Sequence, residues 1–282
     1  MRFVNRIGLT LLALLLARAA AAQERAYFVT YDHYLEEPGS FEIGVASTVG
    51  VPRDGRNTYT APWLEFEYGV KGWWTTELYL EGVTTGTAGS GVSGWRFENR
   101  FRPLKSEHRI NPVLYLEYES LTEASRIQKE IVGAGALDGE PISVLLTEPA
   151  REIEGKLILS STARNWNVAT NLIFEKNLSV DEGVEFGYAV GVSRRAGDIA
   201  SGAECRLCAE NFVVGIELYG GLGSTQGVVV QEARHFVAPT VAWRVSDRST
   251  VKVSASVGLT QVSDPLLLRV GWTYELPMRR RP

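Results

Sequence analysis

The stretch Leu266-Leu267-Leu268-Arg269-Val270-Gly271-Trp272-Thr273-Tyr274-Glu275-Leu276 decides how this chain is read. Side chains of an extended strand alternate between two faces. Leu268, Val270, Trp272, Tyr274 and Leu276 therefore share one side, and Arg269, Gly271, Thr273 and Glu275 the other. One face is wholly apolar and ends in aromatics, whereas its partner is polar or small. The segment is long enough to cross a bilayer as a tilted strand. Alternation alone argues only for half-burial, so the remainder of the chain has to decide what each face meets.

Working back from this segment, the same two-residue period recurs. It marks Phe41–Val49, Pro62–Val70, Trp73–Val83, Ser93–Arg102, Pro112–Ser120, Arg151–Ser161, Trp166–Lys176, Val184–Arg194, Phe212–Leu222, Arg234–Val245 and Thr250–Val262. With the last strand these make about twelve, an even number as in bacterial single-chain barrels. The expected fold class is all-β: a transmembrane antiparallel up-and-down β-barrel over 41–276. A soluble β-sandwich would share this composition. Lys71-Gly72, Ala163-Arg164-Asn165 and Ser246–Ser249 are expected tight turns. Thr84–Gly91 reads as a loop. Leu121–Ala150 is a long connection in which Thr122 to Ile131 suits a short helix. Pro239 cannot donate to a ladder, so a bulge or a misplaced strand is expected there.

The beginning of the chain has the form of a secretory signal. Arg2 and Arg6 precede the apolar run Ile7–Ala17, and Ala20-Ala21-Ala22 offers a small-residue cleavage site before Gln23. The run is too short for a spanning helix. Taking Arg2, Arg6 and Arg18 from the 29 Lys and Arg leaves 26 against 33 Asp and Glu, a net of −7. That balance does not suit nucleic-acid binding. Residues 23–40 are expected as a periplasmic lead-in whose tyrosines pack into a barrel mouth or line a lid, and 277–282 as a C-terminal tail. The pair Cys205 and Cys208 lacks a second pair for zinc and a following His for haem. A local disulfide pinning a loop is the expectation in an oxidising compartment.

An N-terminus on the periplasmic side puts the three tight turns there and Leu121–Ala150 outside, as barrels prefer. Ala196–Asn211, a long periplasmic turn, and the short outer loop Ser263-Asp264-Pro265 depart from this. Trp73, Trp74, Trp166, Trp243 and Trp272 then fall at the periplasmic level, and Trp63 and Trp95 at the outer level, as interfacial girdles. The inward face is charged. Glu65, Glu67, Glu77, Glu81, Glu98, Glu117 and Glu119 oppose Arg96, Arg100 and Arg102, and later strands add Lys156, Glu175, Glu185, Glu217, Arg244, Lys252 and Arg269. Two readings follow: a salt-bridged filling that closes a narrow lumen, or a water-filled pore whose opposed charges orient a solute. Of the three histidines, His33 and His108 fall in periplasmic segments. His235, near an outer strand end, is the one candidate for a lipid-modifying enzyme, but no nucleophile motif accompanies it. No enzyme, cofactor or metal site is expected.

Two resemblances sharpen these expectations. Arg269-x-Gly271-x-x-Tyr274-x-Leu276 resembles the C-terminal signal of bacterial outer-membrane barrels, which implies the barrel-assembly machinery as a partner through those four residues. The chain departs by continuing past that point. Tyr31-Asp32-His33-Tyr34-Leu35-Glu36-Glu37-Pro38-Gly39, Leu64–Val70, Pro112–Tyr118 and Gly155–Glu175 look like a phenol-degradation-pathway outer-membrane protein group of about twelve strands. That likeness implies a passive channel for small solutes in the cell outer membrane, surrounded by outer-membrane lipid. The insertion at Leu121–Ala150 and the cysteine turn have no counterpart in it. A non-conducting structural or binding barrel is the alternative.

Overall fold

The computed structural model describes residues 26–53, 58–85, 89–122, 124–125, 144, 146–181, 183–197 and 205–276. Its strands are β1 (Phe41–Val51), β2 (Tyr59–Lys71), β3 (Trp74–Thr85), β4 (Gly89–Phe101), β5 (Asn111–Thr122), β6 (Pro149–Ala163) and β7 (Trp166–Asn177). There follow β8 (Glu185–Arg195), β9 (Phe212–Ser224), β10 (Gly227–Val228), β11 (His235–Ser246), β12 (Ser249–Gly258) and β13 (Leu266–Leu276). Twelve of them close into one antiparallel barrel, β8 pairing with β9 and β13 with β1. The two-residue β10 only prolongs the β9 end of a loop. Closure leaves no unpaired sheet edge.

The faces sort in the order opposite to that of a water-soluble domain. Leu114, Leu116, Ile153, Phe174, Ile216 and Val270 are exposed on the outside, each at 41 % or more. Glu67, Glu77, Glu98, Arg100, Glu117 and Glu217 are buried inside. An exposed apolar belt around a charged interior is stable where the surroundings are hydrocarbon and the charges find partners with one another. A sandwich, which would bury its apolar faces between two sheets, is not formed. Among the described residues no helix is long and apolar enough to cross a membrane.

One end of the barrel carries the tight turns. Arg164 and Asn165 both have positive φ, 50° and 66°, the geometry of a two-residue hairpin turn matched to strand twist. The β2–β3 hairpin turns at Gly72 and Trp73, one residue later than expected, because Lys71 still pairs with Trp74 across a register shift. The strands also run further than their sequence pattern suggests. β3 and β4 take up most of the expected loop Thr84–Gly91, their pairing reaching Thr85 and Gly89. The expected helix from Thr122 begins instead as the last residue of β5, and its later part lies outside the described residues. Pro239 causes no bulge. β11 holds one register with β9 through it, and the shift lies at Arg244/Ser246.

Candidate functional site

The site is the barrel interior, and it contains a segment of chain that strand reading did not place there. Residues 26–40, expected as a lead-in at the mouth, run inside the wall as a strap. Ala26, Tyr27, Val29, Thr30, Asp32 and His33 are all buried. An irregular segment needs partners for its backbone groups, and the wall supplies them. The Glu217 carboxylate of β9 accepts three consecutive backbone N–H groups, from Phe28 at 3.0 Å, Val29 at 2.9 Å and Thr30 at 2.7 Å. Asn171 of β7 pairs with Tyr31 as a strand would, accepting its N–H at 2.7 Å and donating to its carbonyl at 2.8 Å. Ser160 of β6 accepts from His33 N–H at 2.9 Å, and Thr75 of β3 from Glu36 N–H at 3.0 Å. Tyr27 donates to the Asn167 side chain at 3.0 Å.

Glycines clear the way for this strap. A Cβ on Gly191 would stand 2.7 Å from the Tyr27 ring, and one on Gly69 would stand 2.0 Å from the Glu37 carbonyl oxygen. Gly271, read from sequence as part of an assembly signal, lies under the Phe28 ring. Burial of His33 holds its imidazole below the ordinary histidine range, against the opposing pull of Asp32 and Glu107.

Beside the strap lies a layer of ion pairs. Arg100 of β4 bonds Glu67 and Glu77 and holds Glu98 at 2.8 Å. Arg96 bonds Glu81 and reaches Glu117 at 3.3 Å. Lys156 of β6 sits 2.8 Å from Glu154 and over the Tyr115 and Tyr31 rings. Tyr31 donates to Glu98 at 2.9 Å, and Tyr115 to Glu117 at the same distance. The strap thus enters the charge layer through a tyrosine. Alternation and hairpin pairing explain the layer: Glu67, Glu77, Glu98, Glu117 and Glu154 stand at directly opposed register positions on β2 to β6, and Arg96 and Arg100, two residues either side of Glu98 on β4, reach diagonally to the carboxylates of the neighbouring strands.

Next to this layer the lumen keeps an atom-free space of about 1200 Å³, part of it continuous with solvent. Its floor is Tyr27–Tyr31 of the strap. Glu117, Glu119, Glu154 and Glu175 line one side, with Lys252 and Arg269 also in its wall. Arg269 donates to Tyr219 at 2.8 Å and to Ser256 at 2.6 Å. Carboxylate oxygens of Glu117, Glu119 and Glu154 approach within 4.8 Å of one another, as do those of Glu119, Glu152 and Glu175. Arg96 and Lys156 already bring positive charge to the first of these groups, through Glu117 and Glu154.

The structure gathers most of the sequence candidates into this interior: Glu65, Glu67, Glu77, Glu81, Arg96, Glu98, Arg100, Glu117 and Glu119. Arg102 is the exception. It follows the end of β4 and donates to the Gly72 carbonyl at the turn end, 2.8 Å away. Trp63 also departs from expectation, because it lines the lumen space and not an outer girdle. It has the same parity as Glu65 and Glu67, so alternation demanded this. His33 is in the lumen, not in a segment outside it. His235 has both ring nitrogens engaged, Nδ1 with Tyr188 Oη at 3.0 Å and Nε2 with the Val230 carbonyl at 2.8 Å. That leaves it no lone pair for a nucleophile. Cys205 and Cys208 are disulfide-bonded in the turn between β8 and β9. Sequence reasoning read Glu217 as an inward charge but not as an anchor of the strap, and it missed the strap's place inside the wall and its anchors Asn171, Asn167 and Ser160.

No protein-family model matches the sequence, and a search of curated proteins finds no match. Solved structures do match in fold. An outer membrane channel from Pseudomonas putida F1 aligns with a TM-score of 0.56 at 10 % identity, covering 89 % of this chain and all of that one. The KdgM porin aligns at 0.54 and 8 % identity, over 83 % of this chain and 99 % of that one. The NanC porin aligns at 0.50 and 10 %, over 84 % and 100 %. What this chain has in common with those outer-membrane porins and channels is the closed antiparallel barrel, over most of its length.

Proposed function

We propose that the chain is a passive channel for small solutes in an outer membrane, with a lumen narrowed by its own N-terminal strap. The observation that carries this reading is the charged cavity above the strap, enclosed by a wall whose outer face is apolar. A barrel built only as a scaffold has no need of such a space. The neighbours in fold include a channel and two porins, which supports the reading at the level of class. The likeness of four segments to the phenol-degradation-pathway group points the same way. Tyr274 and Leu276 stay on the outer face of β13, suited to engagement by assembly machinery, while Arg269 and Gly271 face inward.

A second reading has an observation in its favour: ion pairs and strap together fill the turn-end half of the lumen, as in a non-conducting barrel. Single-channel recording in planar bilayers separates the two. Discrete steps in KCl support the channel. A barrel that shows heat-modifiable gel migration yet passes no current supports the closed scaffold.

A further inference from the structure

We infer that the turn end of the barrel binds anionic glycerophospholipid headgroups, with a phosphate seated on Arg164, Trp166 and Arg194. The inference does not depend on whether the lumen conducts, because it concerns the outer face. It begins with a charge asymmetry along the barrel axis. Among the described residues, the turn end exposes Lys71, Lys105, Arg109 and Arg164 at its first three connections. Arg194, Arg206 and Arg248 follow at the next two. Its exposed acids are Glu37, Glu107 and Asp247, so seven cations stand against three carboxylates. The opposite end exposes one cation, Arg151, against Glu148, Asp181 and Glu232. A rim with a surplus of positive charge attracts a negatively charged surface.

What meets that rim follows from the outer faces of β7 and β8. Trp166, Val168, Leu172 and Phe174 point outward, each 40 % exposed or more, as part of the apolar belt. Trp166 is the first residue of β7, so the belt ends there on this strand. Arg164 lies in the two-residue turn just beyond it. Arg194 is paired directly with Trp166 across the β7–β8 ladder, and its guanidinium stands 5.3 Å from the centre of the Trp166 ring. It continues the outward series Val190 and Val192 of β8, so its stem follows the belt while its head reaches past it. An interfacial tryptophan marks the level where acyl chains give way to headgroups. Two guanidinium groups at that level, one of them over the ring, offer forked donors to a phosphate. Lys71 over Trp73, 5.7 Å from its ring centre, repeats the arrangement at the β2–β3 hairpin. A free anion has no use for the apolar belt below this seat, whereas a lipid phosphate lays its acyl chains along Val168 and Leu172. A zwitterionic headgroup adds an ammonium that the surrounding cations repel, so the rim favours a lipid of net negative charge.

The purified barrel in non-ionic detergent is mixed with equimolar phosphatidylglycerol and phosphatidylcholine of identical acyl chains, and native mass spectrometry counts each lipid retained. One cation near an anionic headgroup favours it by roughly fivefold, so phosphatidylglycerol should be retained about fivefold or more over phosphatidylcholine. Arg164→Gln/Arg194→Gln should cut that ratio by about fivefold, whereas Arg151→Gln at the opposite end should leave it unchanged. Raising ammonium acetate about tenfold should weaken the preference by screening, an arm that needs no variant. Glycerol phosphate, which has the phosphate without acyl chains, should not compete at the same concentration. Equal retention of the two lipids overturns the inference. A parental ratio in a double variant that keeps heat-modifiable migration overturns the seat on Arg164 and Arg194, and competition by glycerol phosphate overturns lipid as the occupant.

Discussion

Replacing Glu217 with alanine is expected to release the N-terminal strap from the lumen. The carboxylate is fully buried and accepts the N–H groups of residues 28, 29 and 30 over 2.7–3.0 Å. A hydrogen bond to a charged group contributes about 1.5–3 kcal/mol. Three that share two oxygens are not additive, so a loss of about 4–5 kcal/mol is reasonable. The other polar anchors, Asn171, Ser160 and Thr75, are neutral and contribute about 1 kcal/mol each. Keeping an irregular segment ordered costs about 1–2 kcal/mol per residue in backbone entropy, and the variant lacks the bonds that offset it. The assay pairs single-channel conductance with proteolysis of the reconstituted barrel. Glu217→Ala should conduct more than the parent and be cut within residues 26–35, while its gel shift shows an intact wall. Glu217→Gln, with an acceptor but no charge, should fall between. A Glu217→Ala barrel with parental conductance and parental protease resistance would refute the claim that this carboxylate holds the strap.

Other outcomes follow from the same geometry. Gly191→Ala, whose new Cβ would meet the Tyr27 ring at 2.7 Å, should destabilise the seated strap by about 1–3 kcal/mol and raise protease sensitivity without preventing barrel formation. His33 is held below its ordinary pKa by burial, so the seated strap binds fewer protons than the released one. Its stability is therefore complete above about pH 6.5 and declines as pH falls below that value. Conductance should rise on acidification, and His33→Asn should flatten the profile. Leu116, 53 % exposed on the outer face, meets lipid. Leu116→Lys should cost about 2–4 kcal/mol near the midplane, seen as a lowered midpoint of urea unfolding in bilayers, whereas Arg151→Lys, which leaves the charge of an exposed position unchanged, should not register.

Much of the wall was legible because a strand has only two faces. Once Leu64, Phe66 and Tyr68 are set outward, Glu65 and Glu67 must be inward, and so must Trp63. Reading Trp63 as a girdle residue gave an interfacial pattern precedence over parity, and parity prevailed. Arg102 shows the converse limit. It keeps the parity of Arg96 and Arg100, but β4 ends at Phe101, and beyond a strand's end the alternation rule has no force. Pro239 was expected to disturb β11. It did not, because a missing donor interrupts bonding to one neighbour while the register with β9 continues.

The strap could not be read in the same way. Residues 26–40 lack any period, since a segment bonded to many different strands has no single partner to impose one. Its traces are scattered over the wall as inward glycines at 69, 191 and 271 and as Glu217, and only the closed ring brings these together. The sequence by itself determined the strands, their faces and the sorting of charge from grease, because each depends on neighbours one or two residues away. Tertiary structure alone decided what occupies the interior and which wall residues hold it there. Those relations join residues as far apart as Thr30 and Glu217, and barrel closure, not local pattern, sets the distance between them.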